Sequence, residues 1–216
     1  LTDATGSLLT SYTYGPFGNL LRVAKTYDAG ADIVMGYDER GRKTSMTDPD
    51  MGTWSYAYNT LSELIWQKDA KNQTITMTYD ELGRMKNRVL PGTEGTSTWT
   101  YGITVPEIGK LKTVSNPNAT ETYFYDNYGR VSSSGVSISG FTYTTTYAYD
   151  TNGRLDTIAY PSINTTTFVL KQVYDPYGYL KEVRQDTATG ALYWQATEFD
   201  AHNRLTKETF GNNLLS

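Results

Sequence analysis

Read backward in steps of two from a set of recurring aromatic residues, the chain alternates. The series run Tyr58, Tyr56, Trp54; Tyr79, Met77, Ile75; Tyr149, Tyr147, Thr145; and Tyr37, Met35, Ile33. Small or polar residues stand between them, as Ser55 and Ala57, Thr76 and Thr78, and Thr146 and Ala148 do. A period of two sends successive side chains to opposite faces, so these runs predict strands with one aromatic face and one light face. Beyond each aromatic, after a short polar stretch, a second apolar run opens with a pair three residues apart: Leu20 and Val23, Leu111 and Val114, Leu155 and Ile158, Leu180 and Val183. A flat strand does not bring such a pair to one face, so a bulge or strong twist is expected there.

The polar stretch between the two runs is itself a repeat. Its clearest copies follow Y-D-x-x-G-R: Tyr37-Asp38-Glu39-Arg40-Gly41-Arg42, Tyr79-Asp80-Glu81-Leu82-Gly83-Arg84, Tyr125-Asp126-Asn127-Tyr128-Gly129-Arg130 and Tyr149-Asp150-Thr151-Asn152-Gly153-Arg154. Weaker copies begin at Tyr14, Tyr58, Tyr174 and Phe199, and Tyr101 opens a stretched one in which Gly109-Lys110-Leu111 stands for Gly-Arg-Leu. The aromatic position thus recurs at 14, 37, 58, 79, 101, 125, 149, 174 and 199. An Asp after the aromatic accepts a hydrogen bond from a backbone N–H two residues on, and Gly supplies positive φ, so the motif predicts a tight reversal. Asn203 in the last copy suits the Gly position, whereas Ser62 suits it less well and predicts a different turn there. A second reversal follows each second strand, punctuated by Asp48-Pro49-Asp50-Met51-Gly52, Asp69-Ala70-Lys71-Asn72-Gln73, Asn116-Pro117-Asn118 or Asp186-Thr187-Ala188-Thr189-Gly190.

The expected fold is therefore all-β, with residues 1–216 forming one region of about nine antiparallel hairpin repeats. One hairpin is marginal in water, so neighbours must bury its aromatic face and pair its edges. Accumulated twist would curl such a sheet into a wall around a space.

Composition and charge narrow the function. Nineteen Tyr, four Trp, six Phe and nineteen Gly against seven Pro suit strands and tight turns. A net charge of −4 gives no footprint for a phosphate backbone, so nucleic acid is not an expected partner. No apolar stretch approaches the roughly 20 residues of a membrane helix, so this segment is not expected to insert in a membrane. The start at Leu1-Thr2-Asp3 and the end at Leu214-Leu215-Ser216 read as those of a soluble segment of a longer protein.

With Y-D-x-x-G-R-[LMV] in several copies, the stretch Asp48-Pro49-Asp50-Met51-Gly52-Thr53-Trp54 and the run Thr78-Tyr79-Asp80-Glu81-Leu82-Gly83-Arg84-Met85, the chain resembles the Rhs or YD-repeat family, bacterial members especially. The likeness runs from about Tyr12 to about Phe210. It implies a hollow β-shell, spirally wound from hairpins, as in Rhs polymorphic toxins, the B and C subunits of insecticidal toxin complexes and, more distantly, teneurins. It further implies that the parent is secreted or on the cell surface, and that the shell encloses a C-terminal effector domain. The partners would be the rest of the shell and that effector. The family's autoproteolytic D-P-x-G-[LW] site is approached only by Asp175-Pro176-Tyr177-Gly178-Tyr179-Leu180, which sits in ordinary repeat register and reads as a variant turn.

No enzyme and no cofactor are expected. Cysteine is absent, which removes thiolate chemistry and Cys-based zinc sites. His202 is the sole histidine and lies in a turn, so a Ser-His-Asp arrangement would have to rest on it alone. The repeated Asp residues Asp38, Asp80, Asp126, Asp150, Asp175 and Asp200 are hard oxygen donors that suit calcium, but they stand a whole repeat apart and each has its own turn to cap. Arg42, Arg84, Arg130, Arg154 and Arg204 are expected to pair with acids or lie over tyrosine rings, with an anion-binding stripe as the other use. The competing function is adhesion, because rows of exposed Tyr and Trp also hold sugar rings, which makes glycans the alternative partner. Sequons at Asn72, Asn118 and Asn164 matter only in a glycosylating secretory pathway.

Overall fold

The computed structural model describes residues 10–25, 30–162, 165–202 and 204–211, and among these every regular element is a strand. Two compact units divide the chain, Leu1–Trp99 and Thr100–Ser216.

The first unit holds β1 (Thr10–Tyr14), β2 (Leu20–Lys25), β3 (Ile33–Tyr37), β4 (Lys43–Asp48), β5 (Gly52–Tyr58), β6 (Leu64–Lys68), β7 (Thr74–Tyr79) and β8 (Met85–Val89). It closes on β9 (Thr96–Tyr101), whose last two residues belong to the second unit. The second continues with β10 (Leu111–Ser115), β11 (Ala119–Tyr125), β12 (Val131–Ile138), β13 (Phe141–Tyr149), β14 (Leu155–Ala159), β15 (Val169–Tyr174), β16 (Leu180–Gln185), β17 (Leu192–Phe199) and β18 (Leu205–Phe210). Within each unit every strand pairs antiparallel with the next in chain order. The fold is thus a succession of antiparallel β-hairpins, and each odd-numbered strand ends on one of the nine recurring aromatics.

Opposite the ends of β1, β3, β5, β7, β11, β13, β15 and β17, the even strand carries one extra residue. Tyr149 pairs with Leu155 and Ala148 with Thr157, leaving Asp156 outside the ladder, and Tyr147 then faces Ile158. The same shift sets Tyr14 against Leu20 and Tyr12 against Val23, and Tyr174 against Leu180 and Gln172 against Val183. This bulge explains the spacing of three: with one residue skipped, positions three apart on the even strand match positions two apart on its partner and share the aromatic face.

Burial is shallow. Met77 and Ala196, at 8% and 6% exposure, are the buried apolar residues among those described, and no large side chain there falls below 2%. On β7 the alternation is sharp, with Ile75, Met77 and Tyr79 inward and Thr74, Thr76 and Thr78 exposed. A sheet whose aromatic face is covered only by its own neighbours depends on contacts between repeats. Half-burying one tyrosine ring of ~200 Å² contributes roughly 2.5 kcal/mol before chain entropy, against about 1 kcal/mol for a hydrogen bond.

Candidate functional site

The residues singled out by the repeat converge on one structure, the reversal after each odd strand. In the second copy the Asp38 N–H donates to the Arg42 carbonyl at 3.0 Å and the Gly41 N–H to the Asp38 carbonyl at 2.9 Å. Asp80 with Gly83 and Arg84, Asp126 with Gly129 and Arg130, and Asp150 with Gly153 and Arg154 repeat that pair of bonds. Gly41, Gly83, Gly129 and Gly153 have φ between 74° and 80°, in the left-handed region where a Cβ is penalised.

The carboxylate divides its two oxygens. Asp126 Oδ1 accepts the N–H groups of Tyr128 and Arg130, both at 2.9 Å, while Oδ2 accepts Arg130 Nε at 2.8 Å and Nη2 at 2.6 Å. Asp38, Asp80 and Asp150 hold their own arginines in the same way. Asp200 Oδ2 takes Arg204 Nε at 2.7 Å, and its Oδ1 takes the N–H groups of His202 and Arg204. His202 is thus an exposed turn residue, and Asn203 lies outside the described residues.

These contacts hold the Asp carboxyls below the usual carboxylate range. For Asp38 and Asp200 the backbone N–H of Arg42 and of Arg204 leads, and for Asp80 the Arg84 side chain. For Asp126 and Asp150 desolvation is the largest influence and opposes the shift, but the bonds from Arg130 and Arg154 outweigh it.

Three further links tie one repeat to the next; the sequence reading expected arginine over tyrosine rings, the second of them, and missed the other two. The hydroxyls of Tyr37, Tyr58, Tyr79, Tyr125, Tyr149 and Tyr174 donate to the carbonyls of Leu20, Lys43, Leu64, Leu111, Val131 and Leu155 at 2.6–2.9 Å. Each acceptor is the first residue of the preceding even strand. The inter-repeat ladder begins two residues later, as Thr157 facing Lys171 shows for Leu155, so the tyrosine reaches a carbonyl beyond the ladder's end. Second, Arg42, Arg130 and Arg154 lie over the rings of Tyr58, Tyr149 and Tyr174 at 4.9, 4.1 and 4.2 Å from the centroids, and Lys110 over Tyr125 at 5.6 Å. Third, the same position packs on the next turn's glycine: a Cβ at Gly153 would meet Arg130 Nη1 at 3.3 Å, and one at Gly178 would meet Arg154 Nη1 at 3.4 Å. Burial raises the hydroxyls of Tyr125, Tyr149 and Tyr174, with Arg130 and Arg154 opposing it at the last two.

The variant copies keep the turn and change its chemistry. Ser62 is a correction to the expectation of a different turn, since it adopts φ 69° and donates its N–H to the Asn59 carbonyl at 3.1 Å as the glycines do. There Asn59 Nδ2 donates to Glu63 Oε2 at 2.5 Å, so donor and acceptor have exchanged places relative to Asp and Arg. In the stretched copy the Gly102 N–H donates to the Lys110 carbonyl at 2.9 Å, which places Lys110 where arginine stands elsewhere. The Asp175-Pro176 copy closes in the ordinary way, Asp175 N–H to the Tyr179 carbonyl at 2.9 Å.

The reversals after even strands differ among themselves. Asp69 to Gln73 reproduces the first type, with Asn72 at φ 62°, whereas Ser139 and Gly140 form a two-residue link at φ 51° and 82°. Asn72 and Asn118 are exposed in such links, and Asn164 lies outside the described residues. Among the described residues no three His, Asp or Glu side chains come together to hold a metal ion.

A family model described as the teneurin YD-shell matches residues 1–167. Among solved structures, the TcdB2–TccC3 complex is similar at a TM-score of 0.77 and 15% identity over 99% of this chain. The same complex without its hypervariable C-terminal region gives 0.76 at 15% over 99%. A Tc holotoxin pore from Photorhabdus luminescens gives 0.59 at 14% over 95%. The chain spans 12–13% of the length of those structures. No curated protein sequence matches it.

Proposed function

The chain belongs to the teneurin YD-shell family, and from that premise we propose that residues 1–216 are one YD-repeat region in the wall of a shell that encloses an effector domain of a secreted or cell-surface parent. The observation that carries this reading is the bonding from repeat to repeat. Tyrosine hydroxyls reach back to the preceding repeat while Arg42, Arg130 and Arg154 reach forward over the next ring, so the repeats serve one another rather than a cleft. The repeated residues Tyr37, Asp38, Gly41, Arg42 and their equivalents are, on this reading, joints of a wall. The similarity to TcdB2–TccC3, solved with and without a hypervariable C-terminal region, supports it.

The test is protease protection in the intact parent. Trypsin should spare any domain downstream of this segment until the wall is loosened by Arg130→Ala with Arg154→Ala. Digestion of that domain at the same rate in both proteins would remove enclosure from the reading.

Glycan adhesion is the second reading, favoured by one cluster. Tyr160, Phe168 and Tyr193 form a row with ring centroids 5.8 and 5.7 Å apart, each residue 37–42% exposed. Retention on a glycan array that is lost in Tyr160→Ala and Phe168→Ala supports it, and an array without signal removes it.

A further inference from the structure

We propose that the turn beginning at Asp175 is a binding site for an arginine guanidinium supplied from outside its own repeat. In the copies at Asp38, Asp80, Asp126, Asp150 and Asp200 the carboxylate keeps one oxygen for two backbone N–H groups and gives the other to a guanidinium four residues on. Asp175 keeps the first half of that arrangement: Oδ1 accepts the N–H groups of Tyr177 and Tyr179, both at 2.9 Å. The position four residues on is Tyr179, so the turn supplies no cation of its own, and among the described residues no cation pairs with Asp175.

What surrounds that carboxylate is suited to a flat cation. Asp175, Tyr177, Tyr179 and Phe199 line an open recess of about 580 Å³. Phe199 holds the aromatic position of the following repeat, which in the regular copies lies under the arginine. Its centroid is 6.4 Å from that of Tyr179, with the rings inclined at 44°. A planar cation over an aromatic face and against a carboxylate is the pairing guanidinium makes best. The neighbouring guanidiniums are committed elsewhere, Arg154 to Asp150 and the Tyr174 ring, and Arg204 to Asp200. An incoming arginine would complete here the arrangement the other turns complete internally. This inference is independent of whether the shell encloses an effector.

The test follows the Tyr177 and Tyr179 amide signals of the 15N-labelled full chain during titration with N-acetyl-arginine amide. The neutral isostere N-acetyl-citrulline amide is the control. Saturable shifts with the first and none with the second are expected. Asp175→Asn should weaken binding about tenfold without unfolding the turn, because Asn59 already holds this turn with its side-chain oxygen on the N–H groups of Leu61 and Glu63. Tyr179→Arg should abolish the response, since its own guanidinium then fills the recess. A capped alanine pentapeptide with one central arginine separates the sources: tighter binding than the single residue points to a polypeptide arginine, equal binding to free guanidinium compounds. Equal shifts with citrulline, no shift at either amide, or undiminished binding in either variant would overturn the proposal.

Discussion

The two kinds of reversal in this molecule obey different rules. Eight of the nine links after odd strands are five residues long, while links after even strands run from two residues, Ser139 and Gly140, to nine, residues 160–168. Both kinds use the same devices, an Asp or Asn oxygen on backbone N–H groups and a residue at positive φ. In the first kind the same side chains bind the adjacent repeat in copy after copy, whereas in the second such a contact belongs to a single link, as Phe168 against Tyr193 does. Length is held where neighbours must meet, and drifts where a link has only to turn the chain round.

Acid should expose that contrast most strongly. The carboxyls of Asp38, Asp80, Asp126, Asp150 and Asp200, all in the first kind of turn, titrate below their ordinary value. A depressed folded value means that their contribution is present above about pH 4, the unfolded value, and is lost as pH falls through the folded one. The urea midpoint should therefore drop steeply below pH 4, and replacing Asp80, Asp126 and Asp150 together by Asn should flatten that fall. An unchanged slope in the triple variant would refute the assignment. At the other limit Tyr123, raised to about 12 by burial and the adjacent Glu121 carboxylate, contributes below the ordinary tyrosine range and loses that contribution as pH rises through the folded value. Absorbance at a tyrosinate wavelength reads it directly.

Next in size is a pair of glycines with the same backbone and different surroundings. Gly153 and Gly140 have φ 80° and 82°, but only at Gly153 does a Cβ meet a neighbour, Arg130 Nη1, within 4 Å. Valine at either site should cost ~2 kcal/mol for its backbone, and at 153 about 1 kcal/mol more for displacing Arg130. Equal losses in chemical denaturation would show that the contact contributes nothing.

Tyr149 separates ring from hydroxyl. Tyr149→Phe removes the bond to the Val131 carbonyl and should cost ~1 kcal/mol. Tyr149→Ala also removes the half-buried ring and the surface under Arg130, and should cost roughly 3 kcal/mol. The smallest effect is expected from two glycines inserted between Ala188 and Thr189, under about 0.5 kcal/mol. The same insertion between Asn127 and Tyr128 should destabilise several-fold more, because it parts Asp126 from Arg130.

Much of this was legible in the sequence for one reason: strand period, aromatic position and turn glycine are properties of single residues in a short window. Tyr37, Tyr79, Tyr125 and Tyr149 marked strand ends, and the pairs three apart marked the bulge. Ser62 misled because the preference for glycine at positive φ is only a preference, and Asn59 with Glu63 stabilises that turn by other means. Arginines over tyrosine rings were foreseen, but the tyrosine bonds to the preceding strand, the particular ring each arginine covers and the exposed recess at Asp175 were not legible. They join residues 14 to 24 apart, and which neighbour a side chain reaches depends on how hairpins lie side by side. The one available hint was the recurrence of Arg five residues after Tyr37, Tyr79, Tyr125 and Tyr149, which sets a cation at the same place in successive turns.

The hydroxyl and ring contacts that begin in one repeat end in the repeat beside it. Removing residues 126–149 would join Tyr125 to Asp150, set an intact turn behind an intact strand, and leave Lys110 over its own ring. Losing half that number would strand a tyrosine without its acceptor and an aspartate without its arginine. Recombination in such a gene is therefore sieved by length: exchanges that add or subtract complete modules survive folding, the others do not, and the protein's size changes in discrete increments.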